Sequence, residues 1–261
     1  QETENNSVTD RKYLVPFILI TSLFFLWGFA RAILDVLNKH FQNALHISIT
    51  QSALIQVTTY LGYFLMAIPA GFFINKYGYR RGGVFGLLLF GLGAIFFIPG
   101  ASIGSFSAFL FCLFVIGCGL VFLETAANPY VTELGARETA TSRLNLSQSF
   151  NGLGSIFATF CIGQFLFNDT QQGCNGVIPY AILGVLVLAI AVVFSRVDLP
   201  EIQHQQTTED KAKGSNIAKL FANHRMFVFG LFALLSYEVA EISINSYFIN
   251  FVTGMHWMSD R

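Results

Sequence analysis

Five ionisable residues interrupt stretches that are otherwise apolar: Arg31, Asp35, Glu124, Glu238 and Glu241. A charge at the centre of a membrane-crossing helix costs roughly 2.5–3.5 kcal/mol on insertion scales, so each needs a task or a partner. A lone carboxylate in such a helix can carry a proton, hold an ion, or accept hydrogen bonds from a polar solute. Asp35 stands two apolar residues from Asn38 and one turn from Arg31, so it also reads as an interfacial group or one neutralised by that guanidinium. Glu124 follows the apolar run from Phe106 to Leu123; its structural alternative is a hydrogen bond to Thr125 or to a neighbouring helix. Glu238 and Glu241 lie three residues apart on roughly one helix face, where one of them can instead meet headgroups or another helix.

The elements that carry these groups are membrane spans. Of 261 residues, 54% are hydrophobic and only 11% charged, against about 25% charged in a soluble domain, which excludes a water-facing globule. The 29 Phe and 23 Gly suit close-packed helices in lipid. Zero net charge offers nothing to a nucleic acid. Apolar runs at 14–37, 53–74, 84–101, 106–131, 146–167, 177–195 and 226–252 are each long enough to cross about 30 Å of hydrocarbon as a helix. The expected fold is therefore an all-α polytopic bundle. Its charged spans are the first, fourth and seventh, the period of nested three-helix inverted repeats, and no residue-level repeat accompanies it. Cys112, Cys118 and Cys161 sit in apolar runs and Cys174 in a connection, without CxxC spacing, and the five His are scattered. No metal site, disulfide framework or cofactor is expected.

Basic residues set the orientation. Arg11, Lys12, Lys76, Arg80, Arg81, Arg137, Arg143, Arg196, Lys211, Lys213, Lys219 and Arg225 fall on one side, whereas only Lys39 and Arg261 fall on the other. The positive-inside rule then places the N-terminus in the cytoplasm. The expected organisation is a cytoplasmic tail over 1–13, a six-helix bundle of two three-helix inverted repeats over 14–195, and a polar cytoplasmic linker over 196–225. Residues 226–261 would hold the first helix of a second bundle, whose remaining helices are expected beyond Arg261 as the missing C-terminal half of the same protein.

Several stretches carry a family resemblance. Leu123-Glu124-Thr125-Ala126-Ala127-Asn128-Pro129-Tyr130 resembles the LETAANP signature of the fucose:proton symporter family of the major facilitator superfamily. Arg143-Leu144-Asn145-Leu146-Ser147-Gln148-Ser149-Phe150-Asn151 is similar to that family's next helix, and Leu23-Phe24-Phe25-Leu26-Trp27-Gly28-Phe29-Ala30 with Asp35 to its first. Gln56, Tyr60, Gly62, Tyr63 and Ile68-Pro69-Ala70-Gly71 match its second. The resemblance implies import of L-fucose, or of glucose or galactose, with a proton across the bacterial inner membrane. It implies proton coupling at Asp35 and Glu124, and a cavity lined by Gln148 and Asn151. Amides at Gln56, Asn128, Gln148 and Asn151 suit sugar hydroxyls. Tyr60, Glu241 and Arg31 complete the candidate substrate contacts. Trp27 lies mid-span, where its ring either stacks on a sugar or packs between helices. One departure stands out: the family usually has Asn just before the aspartate, where this chain has Arg31, Ala32 and Leu34. Arg31 either holds Asp35 ionised or turns toward the cavity and binds substrate.

The connection from Gly71 through Asn75 and Gly78 to Arg80 and Arg81 resembles the superfamily's G-xxx-D-R-x-G-x-R-R gating motif, with Asn75 where Asp is usual. Gly71 and Gly78 suit a tight turn, and Arg80 and Arg81 can serve simply as topology anchors. Rival functions are a sodium-coupled carrier or uniporter, a membrane transferase, and a seven-helix receptor. A transferase needs clustered acids to hold Mg²⁺ on a diphosphate, and no DxD or DDxxD run occurs, so an enzyme is not expected. A retinal receptor needs a Lys in its seventh span, and none is there.

Overall fold

The computed structural model describes residues 13–44, 48–103, 105–166, 177–197 and 224–255. Regular structure among them is helical: α1 (Leu14–Ala44), α2 (Ile49–Tyr77), α3 (Tyr79–Ile95), α4 (Phe97–Ile103), α5 (Phe106–Glu133), α6 (Ala140–Leu166), α7 (Val177–Arg196) and α8 (Arg225–Gly254). Five segments are long and apolar enough to cross a membrane: Leu14–Ile33, Gln51–Tyr77, Tyr79–Gly100, Phe106–Glu133 and Arg225–Ile244. α6 carries the polar run from Asn145 to Asn151, and the described apolar part of α7, Ala181–Arg196, is shorter.

Local chemistry explains the helix ends. Ser48 caps α2 with a reciprocal box: its hydroxyl accepts Gln51 N at 3.1 Å, and Gln51 Oε1 accepts Ser48 N at 3.0 Å. Gly78 closes the helix at φ 89°, a conformation costly for any side chain, and α3 starts at the next residue. The third apolar run is not one continuous helix. It begins at Tyr79, taking Arg80 and Arg81 into its first turn, and is interrupted at Phe96 before α4 resumes.

The chain divides into two compact units, residues 1–202 and 203–261. In the first, α1 packs along α6, α5 lies against both α2 and α3, and α3 against α7. Glycines permit each approach. A Cβ on Gly28 of α1 would collide with the Asn151 carbonyl oxygen of α6, and one on Gly154 with the Phe25 carbonyl oxygen. The α5–α2 crossing repeats this: Gly117 faces Thr59 O, and Gly62 faces Phe114 O. At the α3–α7 crossing Gly91 and Gly184 each abut the other's carbonyl oxygen, 3.3 and 3.1 Å from the position of an added Cβ. Exchanging α1 with α5 and α2 with α6 interchanges the α1–α6 and α2–α5 crossings, but among the described residues the α3–α5 crossing has no α1–α7 counterpart of comparable extent. Small residues replace the hydrophobic driving force that lipid cannot supply.

A polar seam joins α1 to α6. Thr21 Oγ1 lies 3.2 Å from Ser147 Oγ, Asn151 Nδ2 donates to Phe24 O at 3.2 Å, and Ser155 Oγ to Gly28 O at 3.1 Å. Ser147, Asn151 and Ser155 recur every four residues, which stacks them on one helix face. In the second unit, α8 exposes a long series of apolar side chains, including Phe229, Phe232 and Leu235, with Glu238 and Glu241 half-buried.

Candidate functional site

The site is a groove between α2 and α5. On α2, Tyr60, Tyr63 and Ala67 follow one another at three- and four-residue steps and so share a face; Gln56 lies one turn earlier on it. On α5 the same steps bring Val121, Glu124, Thr125 and Asn128 to the facing stripe. These residues, with Phe64 and Pro129, line an open groove of about 610 Å³. The rings of Tyr60 and Tyr63 are 5.8 Å apart and form its aromatic wall.

Glu124 lies at the junction of two spaces. It lines the groove, and with Leu23, Phe24, Trp27, Leu123 and Ala127 it also lines a narrow apolar crevice of about 10 Å³ behind it. The Thr125 hydroxyl donates to Val121 O at 2.7 Å, so its single proton is not offered to Glu124. Gln148 Nε2 donates to Asn128 Oδ1 at 3.3 Å, joining α6 to the groove-lining residues of α5.

The other candidates are distributed around this groove rather than gathered in it. Asn151 is half-buried and its amide holds the Phe24 carbonyl across the α1–α6 seam. Trp27 lines the rear pocket, edge-on to Phe24 with ring centroids 6.3 Å apart, and its Nε1 donates to Tyr63 Oη at 3.1 Å. Arg31 is half-buried on α1. Asp35 falls in α1, and its side chain lies outside the described ones. Glu241 belongs to α8 in the second unit.

Residues 20–259 match the family model described as Major Facilitator Superfamily. The chain belongs to the major facilitator superfamily. It is a multi-pass membrane protein. It is 36% identical over 258 residues to the glucose/galactose transporter of Brucella abortus biovar 1 (strain 9-941), covering 96% of this chain and 61% of that relative. It is 37% identical over 228 residues to the L-fucose-proton symporter of Haemophilus influenzae (strain ATCC 51907 / DSM 11121 / KW20 / Rd), covering 77% of this chain and 53% of the relative. The crystal structure of the E. coli fucose:proton symporter, FucP, superposes with a TM-score of 0.73 at 35% identity, over 92% of this chain and 63% of that one. The chain thus spans about three fifths of the length of these relatives.

The stretch from Gly71 to Arg81 is laid out differently from the sequence expectation. Gly71 does not form a turn; it lies inside α2, six residues before the helix ends, and the reversal is made by Gly78 alone. Arg80 is more than a topology anchor: its Nη2 donates to Ser195 O at 2.8 Å, tying the start of α3 to the end of α7. Arg81 and Asn75 are exposed.

Two residues near the site escaped the sequence reading. Tyr63 was visible only as a motif match, although its spacing from Gln56 and Tyr60 puts it on their face. Arg143, counted there as a topology charge, is completely buried. It donates to Val131 O at 3.1 Å, Thr132 O at 2.6 Å, Ala136 O at 3.0 Å and Thr139 Oγ1 at 2.6 Å. A cation on the last carbonyls of α5 is favoured by the helix dipole and satisfies acceptors that have no partner within the helix.

Proposed function

We propose that the protein, at the length of the relatives it matches, imports a sugar together with a proton by alternating access, the sugar being L-fucose or another hexose such as glucose or galactose. The observation that carries this reading is the α2–α5 groove, which sets a carboxylate (Glu124), an amide (Asn128) and two tyrosines against one open volume. A hexose offers hydroxyls that both donate and accept, plus an apolar ring face, and this combination of groups serves each of them. The printed names of the relatives, a glucose/galactose transporter and L-fucose-proton symporters, favour the same substrates.

In this proposal Asp35 and Glu124 are the proton-coupling carboxylates. Asp35 takes up a proton from the outside, which favours sugar binding; rocking then opens the site to the cytoplasm, where both leave. Gln56, Tyr60, Asn128 and Gln148 contact the sugar from one side. Asn151, Trp27, Arg31 and Glu241 are assigned to the same substrate path, and Gly71, Asn75, Gly78, Arg80 and Arg81 to gating. Alternating access needs a second bundle to rock against, and transport is proposed for a molecule that has one. The location is the bacterial inner membrane, with the N-terminus in the cytoplasm, as the twelve basic residues on one side argue.

The test is sugar-driven proton movement. De-energised bacteria expressing the protein at the length of its relatives are followed with a pH electrode while L-fucose, galactose, glucose and mannose are added in turn. Transient alkalinisation with one sugar is the expected result and names the substrate. Entry of labelled sugar without a pH change would replace symport by uniport or sodium coupling, a reading that Arg31, one turn before Asp35, specifically favours.

A further inference from the structure

Trp27 and Tyr63 sit on different helices, one behind the groove and the other on it. Tyr63 lines the groove, and Trp27 lines the crevice behind it, edge-on to Phe24. The two are joined by the indole Nε1–H, which donates to Tyr63 Oη at 3.1 Å. An indole is a donor only, whereas a phenol has one proton to give and lone pairs to receive. Accepting from Trp27 therefore leaves the Tyr63 hydroxyl proton directed away from α1. Glu124 and Asn128 share its groove.

We propose that Tyr63 is a sugar-contacting residue that donates its hydroxyl proton to a substrate oxygen, and that the part of Trp27 in the substrate path is to position Tyr63 rather than to touch the sugar itself. This rests on the transport reading above. A sugar hydroxyl that accepts from Tyr63 can donate to Glu124, so the three form a chain running from the indole N–H to the carboxylate. Each bond in such a chain polarises the next. Trp27 sets its direction: with the indole donor in place, the Tyr63 proton faces the groove.

The experiment is a double-mutant cycle on sugar affinity, in the protein at the length of its relatives, purified in detergent and titrated with the four sugars named above. Tyr63→Phe keeps the ring and removes the hydroxyl; Trp27→Phe removes the indole donor. Loss of one such hydrogen bond corresponds to roughly five- to tenfold weaker binding. Expected are a loss of that size for Tyr63→Phe, a comparable or smaller loss for Trp27→Phe, and a double variant no weaker than Tyr63→Phe alone. In transport, KM rises while the maximal rate holds, and the rise of the thermal midpoint on adding sugar shrinks in both variants, a ligand-dependent readout that a purely structural contact would leave unchanged. Should Trp27→Phe fail to accumulate, 3-benzothienylalanine at position 27 keeps the bicyclic ring without the N–H. Additive losses would show Trp27 binding sugar in its own right and overturn the proposal. Undiminished affinity in Tyr63→Phe would overturn it too. A parent protein that binds none of the four sugars would remove the transport reading and this inference with it.

Discussion

Glu124 is the residue on which the proposed chemistry turns, because it lines both the open groove and the apolar pocket behind Trp27. The groove is open and wide enough for a solute, with the Asn128 amide and two tyrosines on its walls, whereas the space behind is a narrow apolar crevice. Burial favours the protonated form, and solvent the charged form, so a change of access changes its proton affinity. Glu124→Gln keeps the shape and removes the titration. It is expected to abolish sugar-dependent alkalinisation while leaving labelled-sugar exchange measurable, a separation read by running both assays on one cell preparation. Retained alkalinisation would move proton coupling away from this position. The sequence exposed Glu124 because a charge in an apolar run is expensive and hence conspicuous. Tyr63 carried no such signal, since a tyrosine costs little in a membrane-crossing helix. Its importance depends on a hydrogen bond to a residue 36 positions away, which no local pattern encodes.

At the scale of the helices, existence was legible and joints were only partly so. Runs of apolar residues gave away the spans, and the Ser48–Gln51 pair is a readable start signal for α2. The interruption at Phe96 has its signal one turn on, in Pro99, which has no N–H for the Ile95 carbonyl, whereas the helical placement of Gly71 contradicts the usual sense of a glycine near a charged connection. The close crossings depend on which glycine meets which carbonyl, a fact of tertiary geometry. Gly28→Val and Gly117→Val should each force their helix pair apart, because the obstacle is backbone rather than a flexible side chain. Gly71→Ala is the matched control, having open space around it. Thermal unfolding in detergent should show large losses for the first two and none for the third. Arg143→Ala strips four acceptors of their donor and is expected to cost about 3 kcal/mol or more. Arg143→Lys should recover only part of this, since a single ammonium cannot reproduce the planar fork.

For the whole molecule, the decisive question is which end of the first unit faces the cytoplasm. The Arg80–Ser195 bond places the α2–α3 connection beside the end of α7, as a chain that crosses the membrane at every span requires. The α5–α6 connection, with Arg137 and Glu138 exposed, follows an even number of spans as well and so belongs to that same side. Ser48 is also exposed, at the start of α2, one crossing away. Positive-inside reasoning then predicts opposite access for the two positions. With Cys161 and Cys174 replaced and the buried Cys112 and Cys118 retained, Glu138→Cys should react with a membrane-impermeant maleimide only after the cells are opened. Ser48→Cys should react in intact spheroplasts. The reverse pattern would invert the whole assignment and would turn the proposed proton uptake from outside into uptake from the cytoplasm. Because the groove, the seam and the glycine crossings are internal to the unit, they would survive that inversion unchanged; only the direction of transport would not.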